Sequence, residues 1–176
     1  VTDAAGAEGS GGAVLVETGF RREVTKSCGV ASQSSGAAGD TVSAQVVVFL
    51  VYASERVAAF LDRALYLPRV WTQDAARRAE AGIPSGIRVA SKITLAERML
   101  ARAFDADVPA LWVVADSFYG RSHAFRRWLE GRETAYAVMI PKTNAVKYQG
   151  QRLRAEQLGE RLSAAAGQPA WACLAL

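Results

Sequence analysis

An acidic residue follows an apolar run in the second half of the sequence. Residues 110–115 read ALWVVA, and Asp116 comes directly after them, followed by the short stretch SFYG. In open α/β sheets functional groups collect beyond the carboxyl ends of strands, because the backbone turns outward there and side chains from several loops can converge. Asp116 is therefore a candidate functional carboxylate. The alternative is that it caps the next helix or accepts a hydrogen bond from a loop N–H.

The other residues that could take part in catalysis or ligand binding indicate no second site. His123 is the single histidine and is predicted to lie on the surface at the start of a helix. Cys28 and Cys173 have neither a CxxC spacing nor a nearby histidine, so a zinc site is not indicated. The glycines of SSGAAGD (34–40) lack the spacing of a phosphate-binding loop and predict a turn instead.

Composition and charge narrow the class of protein. The chain has 176 residues, 51% of them hydrophobic, and a net charge of +4, which fits one globular domain with a core. Residues 1–20 hold three acids and no base, whereas residues 61–176 hold 17 basic and 11 acidic side chains. The basic part makes an anionic partner such as nucleic acid plausible. No apolar stretch has the roughly 18 residues of a membrane span and no signal peptide is evident, so a cytoplasmic protein without membrane contact is expected.

The pattern of apolar residues predicts a mixed α/β fold. Residues 1–12 are expected to form a flexible tail and residues 13–176 the folded domain. The first three predicted strands should form an antiparallel meander, and helices then alternate with strands. The predicted strands are 13–20, 27–34, 41–53, 110–115 and 135–140, with a further strand at the carboxyl end.

Helical periodicity is predicted in four places. Val57, Phe60, Leu61, Ala64 and Leu65 recur at helical spacing behind Ser54, which indicates an amphipathic helix over 54–65. A second helix is predicted from Thr94, which forms a capping box with Glu97. The remaining helices are predicted from Ser122 and over 153–165, whereas residues 66–90 have no clear pattern.

Four stretches of the chain resemble a known family. WVVADSFYG (112–120) and FRRWLEGRETAYAVMIPKT (125–143) are similar to a strand, Asp, Tyr-Gly loop, helix and strand of bacterial insertion-sequence transposases of the DDE superfamily. The stretch that begins ETGF at residue 17 resembles a family segment beginning DETGF. LDRALYLPRVWTQDAARRAEAGIP (61–84) resembles a third segment, in the same order along the chain.

The resemblance implies a fold and a chemistry. The fold is ribonuclease H-like: three antiparallel strands, a helical crossover, then alternating strands and helices. The chemistry is cutting and joining of DNA by two aspartates and a glutamate that hold two divalent ions, Mg²⁺ or Mn²⁺. One ion activates the attacking hydroxyl and the other stabilises the leaving oxygen. Asp116 corresponds to the second acid of this triad.

The first acid of the family motif is replaced here. Val16 stands where the leading Asp of D[DE]TGF is expected, and valine cannot bind a metal. Glu17 is the remaining candidate ligand, although neighbouring strand residues point to opposite faces. The third acid is expected beyond residue 176, so the fold is expected to be incomplete at its carboxyl end and the fragment inactive.

The resemblance also implies partners. DNA, as transposon ends, is the expected partner, with a homodimer as an open alternative. The predicted DNA-binding residues are Arg121, Lys142, Arg126 and Arg127; for Arg126 and Arg127 a solvated helix surface is an equal alternative. Two other functions remain open: a non-catalytic DNA-binding remnant, or a small ribonuclease H-like nuclease with differently arranged acids.

Overall fold

The architecture comes from a computed structural model that describes residues 11–22, 27–34, 41–88 and 90–166. Within these ranges the chain is mixed α/β, as the sequence predicts. None of the described helices is long and apolar enough to cross a membrane. Most of the predicted tail, the predicted turn within 35–40 and the strand predicted at the carboxyl end lie outside the described residues.

A six-stranded mixed sheet forms the centre of the fold. The order β2-β3-β1-β5-β6 runs across it, and β4 pairs with the same edge of β3 as β2. β1 is antiparallel to β3, whereas β5 is parallel to both β1 and β6. The strands are β1 (Gly11–Arg21), β2 (Ala31–Ser34), β3 (Thr41–Ala53), β4 (Ala58–Tyr66), β5 (Ala110–Ala115) and β6 (Ala135–Val138).

Six helices and a hairpin complete the described chain. The hairpin joins two short strands, β7 (Ala145–Tyr148) and β8 (Gln151–Arg154), that sequence patterning did not indicate. The helices are α1 (Arg69–Thr72), α2 (Ala75–Glu80), α3 (Lys92–Asp105), α4 (Ser117–Gly120), α5 (His123–Glu130) and α6 (Ala155–Ala166).

One face of the sheet carries the core. Alternation along β1 buries Ala13 and Leu15 at 1% and 4% exposure, whereas Val16 on the other face is 42% exposed. The buried face packs against α3 and α5, whose amphipathic sequences supply most of the helical part of the core. The core residues of these two helices are Ala96, Met99, Leu100, Ala103, Phe125 and Leu129, and α4 adds Tyr119.

The predicted helix over 54–65 is wrong. Ser54 begins a tight turn rather than a helix: its N–H donates to the Val57 carbonyl at 2.9 Å, and the Ser54 hydroxyl accepts from the Val57 N–H at 3.2 Å. The chain then returns as β4, antiparallel to β3, and the Phe60 ring meets that of Phe49 at 5.4 Å. Pairing with the long edge of β3 outweighs the helical spacing of the apolar residues.

The predicted meander also needs correction. β1 pairs directly with β3, and the short β2 pairs with the opposite edge of β3, so the first three strands are not neighbours in chain order. The predicted strands 41–53 and 110–115 have the bounds of β3 and β5. The second predicted helix is α3, but its cap is Ser91, whose hydroxyl accepts from the Thr94 N–H at 3.0 Å.

Candidate functional site

Asp116 lies at the carboxyl end of β5 and caps the helical turn α4. Its Oδ1 accepts from the Phe118 N–H at 2.8 Å, which is the helix-capping role that the sequence left open. The side chain is exposed, and no described residue donates a hydrogen bond to its second oxygen, Oδ2. Asp116 therefore has one oxygen engaged locally and one free toward solvent.

Glu17 lies on the neighbouring strand and is engaged through both carboxylate oxygens. The Tyr119 hydroxyl donates to Oε1 at 2.7 Å, and the Lys92 Nζ lies 2.6 Å from Oε2. The Glu17 and Lys92 side chains keep only 18% and 17% of their exposure. Three parts of the chain, β1, α3 and α4, thus meet at one carboxylate.

Tyr119 is the buried member of this group. Its ring is fully buried, and burial together with the charge and hydrogen bond of Glu17 raises the pKa of the Tyr119 hydroxyl far above its ordinary range. The nearby Asp116 carboxylate raises the same pKa further. Tyr119 is therefore a neutral hydrogen-bond donor at physiological pH, and both acids act on it.

Val16 lies on the other face of β1 from Glu17. The pairing between β1 and β5 ends at Val14 and Val114, and Val16 and Asp116 lie two residues beyond this pair on each strand. The Asp116 backbone is still extended (φ −76°, ψ −176°), so alternation places Val16 and Asp116 on the same face. Glu17, by contrast, points to the core face with Leu15.

The four predicted DNA-binding cations differ in their surroundings. Arg121 follows α4 and places its guanidinium 5.0 Å from the centre of the Phe118 ring. Arg126 donates through Nη1 to the Gly120 carbonyl, which holds it against α4. Arg127 and Lys142 are exposed. His123 is exposed at the start of α5, as predicted, and Ser122 caps that helix.

Gly120 joins α4 to the end of β6. A side chain there would overlap the Met139 carbonyl oxygen, so the close approach of the two segments requires glycine. The Met139 N–H also donates to the Ala115 carbonyl at 3.1 Å. These contacts bring the segment that leads to Lys142 to the end of the sheet where Asp116 and Arg121 lie, beyond the carboxyl end of β5.

Sequence reasoning missed Lys92 and Tyr119. Lys92 is 75 residues from Glu17 in the chain and Tyr119 is 102, so no local pattern could pair them. The available signal was the placement of Tyr119 three residues after Asp116. Lys92 also lies 4.9 Å from the centre of the Phe118 ring, which follows Asp116 by two residues.

A family profile described as DDE superfamily endonuclease matches residues 3–169. The chain belongs to this family. The match spans nearly the whole sequence and includes both Asp116 and Glu17. No curated protein and no solved structure matches the chain.

Members of the DDE endonuclease family act on DNA and generally use divalent metal ions. Asp116 offers the kind of hard oxygen that Mg²⁺ and Mn²⁺ prefer. However, the described residues contain no group of three His, Cys, Asp or Glu side chains that could hold an ion. The Glu17 oxygens already accept from an ammonium and a hydroxyl. This donor set does not fit a two-ion centre, and the sequence-based assignment of Glu17 as a ligand stays a prediction.

Proposed function

We propose that this chain is a transposase-type DDE endonuclease domain that binds DNA and whose catalytic centre is impaired at Val16. The family match across residues 3–169, with Asp116 at the carboxyl end of β5, carries the proposal. The antiparallel set β1, β3 and β4, followed by helices and then the parallel strand β5, supports a ribonuclease H-like fold. The bounds of the domain, 13–176, stay a prediction.

The residues around Asp116 have different roles in such a domain. Asp116 presents its free Oδ2 at the carboxyl end of β5, where a reacting phosphodiester would lie. Arg121 and Lys142 lie near this end of the sheet and are suited to binding backbone phosphates, which position DNA without reading its sequence. Arg126 is held against α4 by its bond to Gly120, so it supports this end of the sheet from the side of α4. Mg²⁺ or Mn²⁺ as cofactor, transposon ends as substrate and a homodimer stay predictions.

A non-catalytic DNA-binding protein is the second candidate function. The described residues contain no three-acid group, and this observation favours it. Both functions place DNA at the same end of the sheet, near Asp116, and differ in whether the DNA backbone is cut. Purified protein with Mg²⁺ or Mn²⁺ is expected to leave supercoiled plasmid intact. Nicking that disappears in Asp116→Asn would show that the centre is active and that its impairment is wrongly inferred.

Salt dependence tests the DNA-binding part of the proposal. The logarithm of the DNA affinity should fall with the logarithm of salt concentration, by about 0.9 for each phosphate neutralised. Arg121→Ala and Lys142→Ala should each reduce this slope by about one phosphate. Arg56→Ala is the matched control, because Arg56 lies in the turn between β3 and β4, at the opposite end of the strands from Asp116. DNA binding that is absent at low salt, or slopes that change equally in all three variants, would contradict the proposal.

A further inference from the structure

The helical turn α4 needs support from outside itself. It contains only four residues, and a single helical turn is unstable alone because its nucleation costs more than its few hydrogen bonds return. Yet this turn supplies the Phe118 N–H that binds Asp116 Oδ1. The orientation of the free Asp116 oxygen therefore depends on whatever holds α4 in place.

Glu17 provides that support through Tyr119. The Tyr119 hydroxyl is on α4, and its hydrogen bond to Glu17 Oε1 ties the turn to the centre of the sheet. Lys92 holds the other oxygen of Glu17 and so fixes the carboxylate from the side of α3. Tyr119 is fully buried in the folded protein, so its hydroxyl relies on Glu17 as its acceptor.

The same contacts argue against Glu17 as a metal ligand. A divalent ion bound to Glu17 would lie close to the Lys92 ammonium, which is 2.6 Å from Oε2 and largely shielded from water. Repulsion between the two cations opposes such binding in a partly buried site. The alternation of β1 also directs Glu17 toward the core face, away from the face that Val16 shares with Asp116.

We propose that Glu17 is a positioning residue, which orients Asp116 through Tyr119 with Lys92 as its counter-ion. The proposal rests on the proposed function in one respect, that Asp116 is the functional carboxylate of the site. Glu17 then works as part of a three-residue network of β1, α3 and α4, and Lys92 and Tyr119 join the site without touching DNA or metal.

Amide hydrogen exchange at Phe118 tests the proposal directly, because this N–H reports the bond to Asp116. Tyr119→Phe and Glu17→Ala should each raise the exchange rate of the Phe118 amide about five- to tenfold. Glu17→Gln should raise it less than Glu17→Ala, because its amide oxygen still accepts from Tyr119 whereas its NH₂ group cannot accept from Lys92. Tyr136→Phe is the matched control: it removes a tyrosine–glutamate hydrogen bond of the same 2.7 Å length, between Tyr136 and Glu130.

The exchange of the Leu100 amide in α3 separates positioning from general stabilisation. In Tyr119→Phe, which keeps the Glu17–Lys92 pair, a merely stabilising network would raise exchange at Leu100 and Phe118 by the same factor, whereas positioning raises it by the larger factor at Phe118. A Phe118 rate that is unchanged in Tyr119→Phe, or raised by the same factor as at Leu100, overturns the proposal. None of these rates depends on DNA, so failure here leaves the plasmid and salt-slope results to judge the proposed function separately.

Discussion

Two tyrosine–glutamate hydrogen bonds of equal length hold very different parts of this molecule. Tyr119 and Glu17 are 102 residues apart and join α4 to the central strand, whereas Tyr136 and Glu130 are six residues apart and join β6 to the end of the preceding helix. The first pair is partly buried and shares its carboxylate with Lys92; the second is exposed. Equal geometry therefore does not mean equal consequence, because burial and chain separation set what each bond controls.

The largest expected difference between the two pairs is in stability. Glu17→Ala leaves the Lys92 ammonium without its carboxylate and the Tyr119 hydroxyl without an acceptor, in a site largely shielded from water. We expect a loss of about 3 kcal/mol in the free energy of unfolding, the low end for breaking a buried pair. Glu130→Ala should cost less than about 1 kcal/mol. Urea unfolding at pH 7 measures both, and losses of equal size would remove the contrast.

A smaller loss is expected where α4 meets the end of β6. Gly120→Ala places a methyl group on the Met139 carbonyl and forces the backbone to shift, at about 1–3 kcal/mol. Gly159→Ala in α6 is the control, since nothing lies within 4 Å of its added methyl group. That change should stabilise by about 0.5–1 kcal/mol through helix propensity. If Gly120→Ala melts at the temperature of the unmodified protein, α4 is free to move away from β6.

Alkaline pH should distinguish the two tyrosine–glutamate pairs by a smaller difference in stability. Burial, with the hydrogen bond and charge of Glu130, raises the pKa of Tyr136 to about 12, and the pKa of Tyr119 is raised further. A tyrosine with a raised pKa in the folded state binds its proton more tightly there than in the unfolded chain. Its stabilisation is therefore complete below the ordinary pKa of about 10 and is lost as pH rises through the folded value.

Urea midpoints between pH 9 and 11.5 measure this loss. The midpoint of the unmodified protein should fall above pH 10, and Tyr136→Phe and Tyr119→Phe should each flatten the fall, Tyr119→Phe more so. Midpoints that decline in parallel for all three proteins would show that neither hydroxyl is coupled to folding.

The elements that the sequence predicts well are those specified locally. β3 and β5 are continuous apolar runs, and α5 starts at its own serine cap, so each carries its signal within a few residues. For β4 the sequence predicts a helix, because the apolar spacing fits one and the true partner, the edge of β3, lies outside any short window. Asp116 is predicted from its place after a strand, which is a local signal too.

The supporting residues of the site could not be predicted in this way. Lys92 and Tyr119 reach Glu17 only after the sheet and α3 have assembled, and their roles depend on that packing. The surroundings of the two faces of β1 likewise depend on tertiary packing. Sequence shows that Val16 and Glu17 point apart, but only the structure shows that Val16 is half exposed while Glu17 is engaged toward the core.

In the proposed function, Asp116 belongs to a divalent-cation site that lacks its partner at position 16. Because Val16 is 42% exposed, Val16→Asp should cost little burial energy, although the new carboxylate and Asp116 repel each other without a cation. The decisive measurement is the melting temperature of Val16→Asp across Mn²⁺ concentrations, with Val16→Asn as the uncharged control. We predict that Val16→Asp melts higher as Mn²⁺ rises, because an ion that binds only the folded state stabilises it by mass action, while Val16→Asn does not respond. A melting temperature of Val16→Asp that is independent of Mn²⁺ would contradict the claim.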